Sequence, residues 1–234
     1  MIDVKINKKL VSACGEMALN VGFSIDKGSF TALTGVSGSG KTTLLRCIAG
    51  LSDADSGFIR CGGEVWLDTL KKKKLPVRKR GIGFVFQDYA LFPNMTLRRN
   101  IFYACNDIKK TDELIGMAEL DGVADLYPEK LSSGQKQRCA LLRAVSREPE
   151  LLLLDEPFSA LDADTKRLFH AELVKWRELF DFTVMMVSHD RAEVVRLADR
   201  VLKLDRGIIE SDVTHKSGCY GRTAVINAAA RRVS

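Results

Sequence analysis

The sequence predicts an α/β fold with a mostly parallel sheet arranged around a phosphate-binding loop. Three observations carry that expectation. Residues 35–43 read Gly35, Val36, Ser37, Gly38, Ser39, Gly40, Lys41, Thr42, Thr43, which fits G-x-x-x-x-G-K-[ST] between an apolar stretch and a helical pattern. A continuous apolar run at 151–154, and the segment 183–187, apolar after Thr183, have the composition of strands buried on both faces. Helical periodicity alternates with these strands, as parallel sheets require.

Along the chain, Val4 and Ile6 first alternate with charged residues. Leu19, Val21, Phe23 and Ile25 then alternate with polar or small neighbours until Asp26-Lys27-Gly28 closes the run with a turn, so a first antiparallel β layer is expected here. Residues 30–33 lead into the loop, and Leu44, Leu45 and Ile48 recur at helical spacing until Gly50. Residues 58–60 and 65–67 are short strands separated by Gly62-Gly63, and after a basic loop 82–86 is a core strand ending at Gln87. Residues 91–97 break it and start a helix with Asn94 or Thr96 as N-cap. Helices are expected over 111–120 and 133–147, with Pro128 interrupting and Pro149 beyond. The strand 151–154 ends in Asp155-Glu156-Pro157. A long helix over 162–180, the strand 183–187 and a helix over 190–198 with a capping box from Asp190 to Glu193 follow. A hairpin around Arg206-Gly207 closes the pattern, and the tail from Thr214 lacks periodicity and is expected to be mobile. On this reading residues 1–234 form one domain, with a core of about 1–87 and 150–212, a helical subdomain of about 88–149 and a tail from 213.

With 46% apolar residues in 234, the chain can bury a sizeable core and is not a disordered one. Its start has no apolar signal core and no apolar run is long enough to span a bilayer, which gives a cytoplasmic expectation. Cysteines 14, 47, 61, 105, 139 and 219 form no C-x-x-C pair or zinc spacing and read as reduced, mostly buried small hydrophobes. The net charge of +6 concentrates at Lys71 to Lys74, Arg78, Lys79 and Arg80. No aromatics interleave there, so the run reads as a solvated loop rather than a nucleic-acid or lipid surface.

Phosphoryl transfer needs positioning, a divalent cation and charge stabilisation. Glycines 35, 38 and 40 let successive N–H groups point inward beside a helix N-terminus. Lys41 suits the β- and γ-phosphates and the Thr42 hydroxyl suits Mg²⁺. Asp155 is the natural metal partner, through water, and Glu156 can orient or deprotonate the attacking water. Gln87, at another strand end, can bridge metal and water. His189, after the strand 183–187, can donate to the γ-phosphate, whereas His170 and His215 keep a structural reading. Leu131-Ser132-Ser133-Gly134-Gln135 opens a helix and taken alone is equally an ordinary cap.

Together these segments resemble the ATP-binding cassette (ABC) family, a P-loop NTPase fold, over about residues 17–210. The phosphate loop, Gln87 in the Q-loop position, 131–135 as signature, 151–156 as Walker B strand, Ser159-Ala160-Leu161-Asp162 as D-loop and His189 as switch histidine occur in the family's order. The resemblance implies an ABC ATPase core with an N-terminal antiparallel β subdomain and an inserted helical subdomain. It implies ATP and Mg²⁺, and a head-to-tail homodimer in which ATP lies between the loop of one subunit and Ser132, Ser133, Gly134 and Gln135 of the other. Glu156, His189, Gln87 and Lys41 would then be catalytic, and Asp162 a contact across the dimer. Two departures stand out: Ser133 replaces a usual glycine, and no aromatic precedes Phe23 to stack on adenine, so weak preference for ATP over GTP is expected. The chain looks most like molybdate import ATPases, with sulfate, ferric-ion and polyamine importers as alternatives and DNA-repair or translation ATPases further off. Such subunits work peripherally at the cytoplasmic face of the membrane with permease subunits and a solute-binding protein, and no nucleic acid is expected. Residues 87–101 lie where the permease would dock.

Overall fold

The computed structural model describes residues 1–12, 15–215 and 224–226. The chain forms β1 (Ile2–Ser12), β2 (Gly15–Ile25), β3 (Phe30–Thr34), α1 (Lys41–Ala49), β4 (Ser56–Cys61), β5 (Glu64–Asp68) and β6 (Lys73–Lys74). Then come β7 (Ile82–Val85), α2 (Leu97–Cys105), α3 (Ile108–Met117), α4 (Ser133–Val145), β8 (Leu151–Asp155) and α5 (Ala163–Phe180). The order closes with β9 (Thr183–Val187), α6 (Arg191–Leu197), β10 (Arg200–Asp205), β11 (Ile208–His215) and β12 (Ala224–Ile226). Two compact units result: residues 1–80 with the segment from Thr183 onward, and Gly81–Phe182.

The first unit holds two sheets. One is antiparallel in the order β2-β1-β4-β5-β6. Ile2, Val4 and Ile6 share its buried face with Leu19, Val21 and Ile25, because a period-2 pattern puts all six on one side. β1 runs on to Ser12, well beyond the Val4 and Ile6 alternation, because β2 pairs along its whole length from Ile2↔Ile25 to Ser12↔Gly15. In the other sheet β3 lies parallel to both β9 and β10, and β10 turns antiparallel into β11. All five residues of β9 are buried, Thr183 with the four apolar residues that follow it.

The basic run is not uniformly solvated. Lys71 to Lys74 are exposed, but Arg80 is only 5% exposed. Its guanidinium donates to Ile48 O at 2.6 Å, Leu75 O at 3.1 Å and Trp66 O at 3.3 Å, and stacks 5.6 Å from the Trp66 ring centroid. Ile48 belongs to the last turn of α1, where orphan carbonyls and the helix dipole both favour a cation. Arg80 thus ties the end of the loop's helix to β5.

In the second unit β7 and β8 are parallel, from Ile82↔Leu151 to Val85↔Leu154. α4 packs so closely on β7 that a Cβ on Gly83 would lie 2.5 Å from Ala144 O. Thr96 is the N-cap of α2, its hydroxyl accepting from Arg99 N. α3 begins three residues earlier than expected because Asp107 accepts from Lys110 N and caps it. α4 ends at Val145 rather than 147, with Ser146 as C-cap. The 190–198 helix is shorter too, and only half of its capping box forms: Asp190 accepts from Ala192 N and Glu193 N, while the Glu193 side chain turns to Ser188. Cys47, Cys61 and Cys139 are buried, whereas Cys105 is only half-buried. Cys14, Cys219 and most of the tail lie outside the described residues.

Candidate nucleotide site

In the first unit the loop leaves β3 and becomes α1. Gly35 has φ 143°, and a Cβ there would meet Leu204 O at 2.0 Å, so only glycine fits. Gly40, at φ 101°, is the N-cap of α1 and contributes no side-chain cap, and the first turn carries no acid. Gly40 thus offers the leading N–H groups no side-chain acceptor of its own, a disposition that suits an anion. Lys41 is buried against the loop, its Nζ donating to Gly35 O at 2.9 Å and Val36 O at 2.8 Å. Val36, Ser37 and Gly38 are exposed at the loop's crest, Thr42 and Thr43 are half-buried, and Ser39 is buried beneath. A Cβ on Gly40 would lie 3.3 Å from Leu10 Cδ1 and 3.6 Å from Met17 Cε. The neighbours of the loop on β1 and β2 are thus aliphatic, in keeping with the missing aromatic.

His189 shares this unit. It is exposed just past β9 and, with Thr34 and Gly35, lines a cavity of about 560 Å³ whose apolar wall is Val194, Val195 and Val201. The structure so brings the predicted histidine beside the start of the phosphate loop. His170, by contrast, is buried on α5 with its ring edge-on to Phe158 at 4.8 Å, as its structural reading requires.

The second unit carries the acids. Asp155 is the last residue of β8 and 3% exposed. Glu156 follows at φ 47°, a left-handed conformation that costs a non-glycine residue about 1–3 kcal/mol. Its carbonyl accepts from Ser159 N and Ser159 Oγ, which closes the turn. Asp162 caps α5: its carboxylate accepts from Asp164 N, Thr165 N and the Thr165 hydroxyl at 2.6 Å, and these bonds, the hydroxyl first, hold its pKa below the ordinary value.

Ser132 and Gln135 form a complete capping box at the start of α4: Ser132 N donates to Gln135 Oε1 at 2.9 Å and Gln135 N to Ser132 Oγ at 3.3 Å. Ser133 is exposed in the first turn, where a side chain meets no conformational barrier. Gly134 faces Thr165 and Phe169, a Cβ on it lying 3.6 Å from Thr165 Cγ2.

Gln87 is exposed two residues beyond β7. The chain then passes through Tyr89 and Ala90 at φ 63° and 44°. Arg143 on α4 holds that strained turn, donating to Tyr89 O at 3.0 Å and Ala90 O at 2.8 Å with its guanidinium 5.2 Å from the Phe92 ring centroid. Asn100, fully buried, accepts from Phe92 N and donates to Phe92, Met95 and Thr96 carbonyls. Motif reading missed Arg143, and its one sequence signal is a cation in a helix face otherwise apolar.

Among the described residues no cluster of three His, Cys, Asp or Glu side chains is poised to hold a metal alone. The predicted metal donors, Thr42 hydroxyl, Gln87 amide and Asp155 carboxylate, are all hard oxygen groups, the type that Mg²⁺ accepts when phosphates supply the rest.

Comparison with known proteins points to one family. The ABC transporter family model matches residues 18–159. Sulfate/thiosulfate import ATP-binding protein CysA 2 of Agrobacterium fabrum is 44% identical over 214 residues, 86% of this chain and 60% of that protein. The corresponding CysA of Pectobacterium atrosepticum is 45% identical over 206 residues, 82% and 61% of the two chains. The chain thus spans about 60% of the length of these curated relatives. Among solved structures, the dimeric post-hydrolysis state of the ATP-binding cassette MJ0796 bound to ADP and Pi superimposes with TM-score 0.78 at 30% identity, covering 92% of this chain and 98% of that one. A phosphate loop at residues 35–43, acids at the end of a buried strand and a family match over more than half its residues place the chain in the ABC transporter family.

Proposed function

We propose that this chain binds and hydrolyses ATP as the ATP-binding subunit of an importer for an inorganic oxyanion, with sulfate or thiosulfate ahead of molybdate. The observation that carries the ATPase reading is the loop itself, a glycine cradle at an uncapped helix N-terminus with a buried lysine. Lys41 and the N–H groups of residues 35–43 bind the polyphosphate. Thr42, Asp155 and Gln87 would hold Mg²⁺, which supplies neutralisation of the phosphate charge. Glu156 orients or deprotonates the attacking water, and His189 donates to the γ-phosphate.

Dimerisation completes the reading. Ser132, Ser133, Gly134 and Gln135 serve the loop of a second copy, and Asp162 contacts that copy. The dimeric state of the MJ0796 structure supports this, as does the exposed position of Ser132 and Ser133. Permease subunits dock on residues 87–101 and connect the chain to a solute-binding protein at the cytoplasmic face of the membrane. Among the described residues no helix is long and apolar enough to cross a membrane.

The relatives support sulfate or thiosulfate as the solute. Molybdate, favoured by the resemblance of the sequence, gives way because the relatives named above are sulfate/thiosulfate importers. Replacing Glu156→Gln tests the chemistry: ATP should still bind, dimers should accumulate in sizing experiments with ATP and Mg²⁺, and turnover should fall by at least 10²-fold. Undiminished turnover removes Glu156 from its role. Reconstitution with the permease and stimulation by sulfate, thiosulfate or molybdate with the cognate binding protein identifies the solute.

A further inference from the structure

Beside His189 stands a buried acid with no part in the reading above. Glu193 on α6 is 3% exposed, and its Oε2 accepts a hydrogen bond from Ser188 Oγ at 2.6 Å. Ser188, also 3% exposed, follows β9 and immediately precedes His189. Its Oγ accepts from Asp190 N at 3.0 Å, closing a tight turn with His189 at the apex. Its own N–H donates to Leu33 O at 3.3 Å, on the strand that enters the phosphate loop.

A hydroxyl has one proton. Committing it to Glu193 turns the oxygen's lone pairs toward Asp190 N–H, so the carboxylate sets the geometry of the turn from which His189 projects. Burying a carboxylate is costly unless hydrogen bonds compensate. Packing α6 on the core needs no such group, since Val194 and Leu197 already do it from the same helix. We infer that Glu193 is a positioning residue for His189, acting through Ser188. The inference rests on the reading of His189 as a γ-phosphate contact.

The test is steady-state hydrolysis by the full chain, with separate nucleotide-binding and thermal-unfolding measurements, for Glu193→Ala, Glu193→Gln, Ser188→Ala, His189→Ala and the Glu193→Ala/His189→Ala double variant. Misplacing His189 should lower kcat about tenfold in Glu193→Ala and Ser188→Ala while KM and nucleotide affinity stay within about twofold. Glu193→Gln, whose amide oxygen can accept the same bond, should recover at least about half of the lost rate. Glu193→Ala should add no further loss once His189 is already alanine. The His189 ring signals in an imidazole carbon–proton spectrum should shift in Glu193→Ala and return in Glu193→Gln, a pattern that lowered stability does not produce. A further loss in the His189→Ala background, or Gln behaving like Ala, overturns the positioning role while leaving His189 in place. Full turnover by His189→Ala sinks both it and the parent reading.

Discussion

Substituting Gly35→Ala and Gly38→Ala, one at a time, separates two reasons for glycine in the phosphate loop. Both residues have positive φ, 143° and 78°. At Gly38 a Cβ meets nothing within 4 Å, so alanine suffers only the conformational penalty, about 1–2 kcal/mol. At Gly35 the same carbon would lie 2.0 Å from Leu204 O, against a normal C···O approach of about 3.3 Å. Loop and β10 would have to part by more than 1 Å. Forcing atoms into a packed site costs about 1–3 kcal/mol, which adds to the conformational term. Gly35→Ala should therefore be about 2 kcal/mol less stable than Gly38→Ala, a difference of about 4–8 °C in Tm for a chain of this size. Urea and thermal unfolding of both variants, without nucleotide, measure it. Equal destabilisation would refute the claim that the contact with Leu204, and not φ alone, fixes the residue.

Other expectations follow from groups whose environments are equally defined. Arg80→Met keeps the side-chain stem but leaves the Ile48, Trp66 and Leu75 carbonyls without their shared donor, and should cost about 2–4 kcal/mol in chemical denaturation. Arg80→Lys should recover little of it, because one ammonium cannot fork to three segments. Asp162→Ala removes the cap of α5 and should destabilise at neutral pH. Because the folded pKa is depressed, the carboxylate's contribution is present above the unfolded pKa, about 3.9, and is lost as pH falls through the folded value. The gap between variant and parent in unfolding midpoint should accordingly shrink below about pH 4. Burial pushes the Cys139 thiol up to about 12, so iodoacetamide at pH 8 should label it only when the chain unfolds, as peptide mapping can follow.

Most of the fold was legible because its signals are local. The apolar segments at 151–154 and 184–187 have the length and composition of buried strands, and the strands that hold them are buried throughout. Thr96, Asp162 and Asp190 announced helix starts through side chains that reach their own backbone. The failures share a different cause. β1 extends to Ser12 because of a partner strand, not because of its own alternation. Arg80 is buried because carbonyls from three separate segments converge on it, and nothing in a run of seven cations marks that one. The Asp190 to Glu193 spacing suggested a capping box, but Ser188 offered the carboxylate a competing bond from outside the motif.

The same division runs through the candidate site. A residue proposed to touch a phosphate, a metal or a water must have one chemistry at one spacing, which is why residues 35–43, Asp155, Glu156 and His189 stood out in the sequence. Arg143 and Glu193 instead hold the backbone on which such residues sit: Arg143 through Tyr89 and Ala90 carbonyls, Glu193 through the Ser188 hydroxyl. That task requires reach and a hydrogen-bonding group, not a fixed offset from the chemistry, so it leaves no motif. The consequence is testable in kind as well as degree. Changes at motif residues should abolish binding or chemistry outright, whereas changes at Arg143 or Glu193 should leave the nucleotide bound and misdirect the groups that act on it.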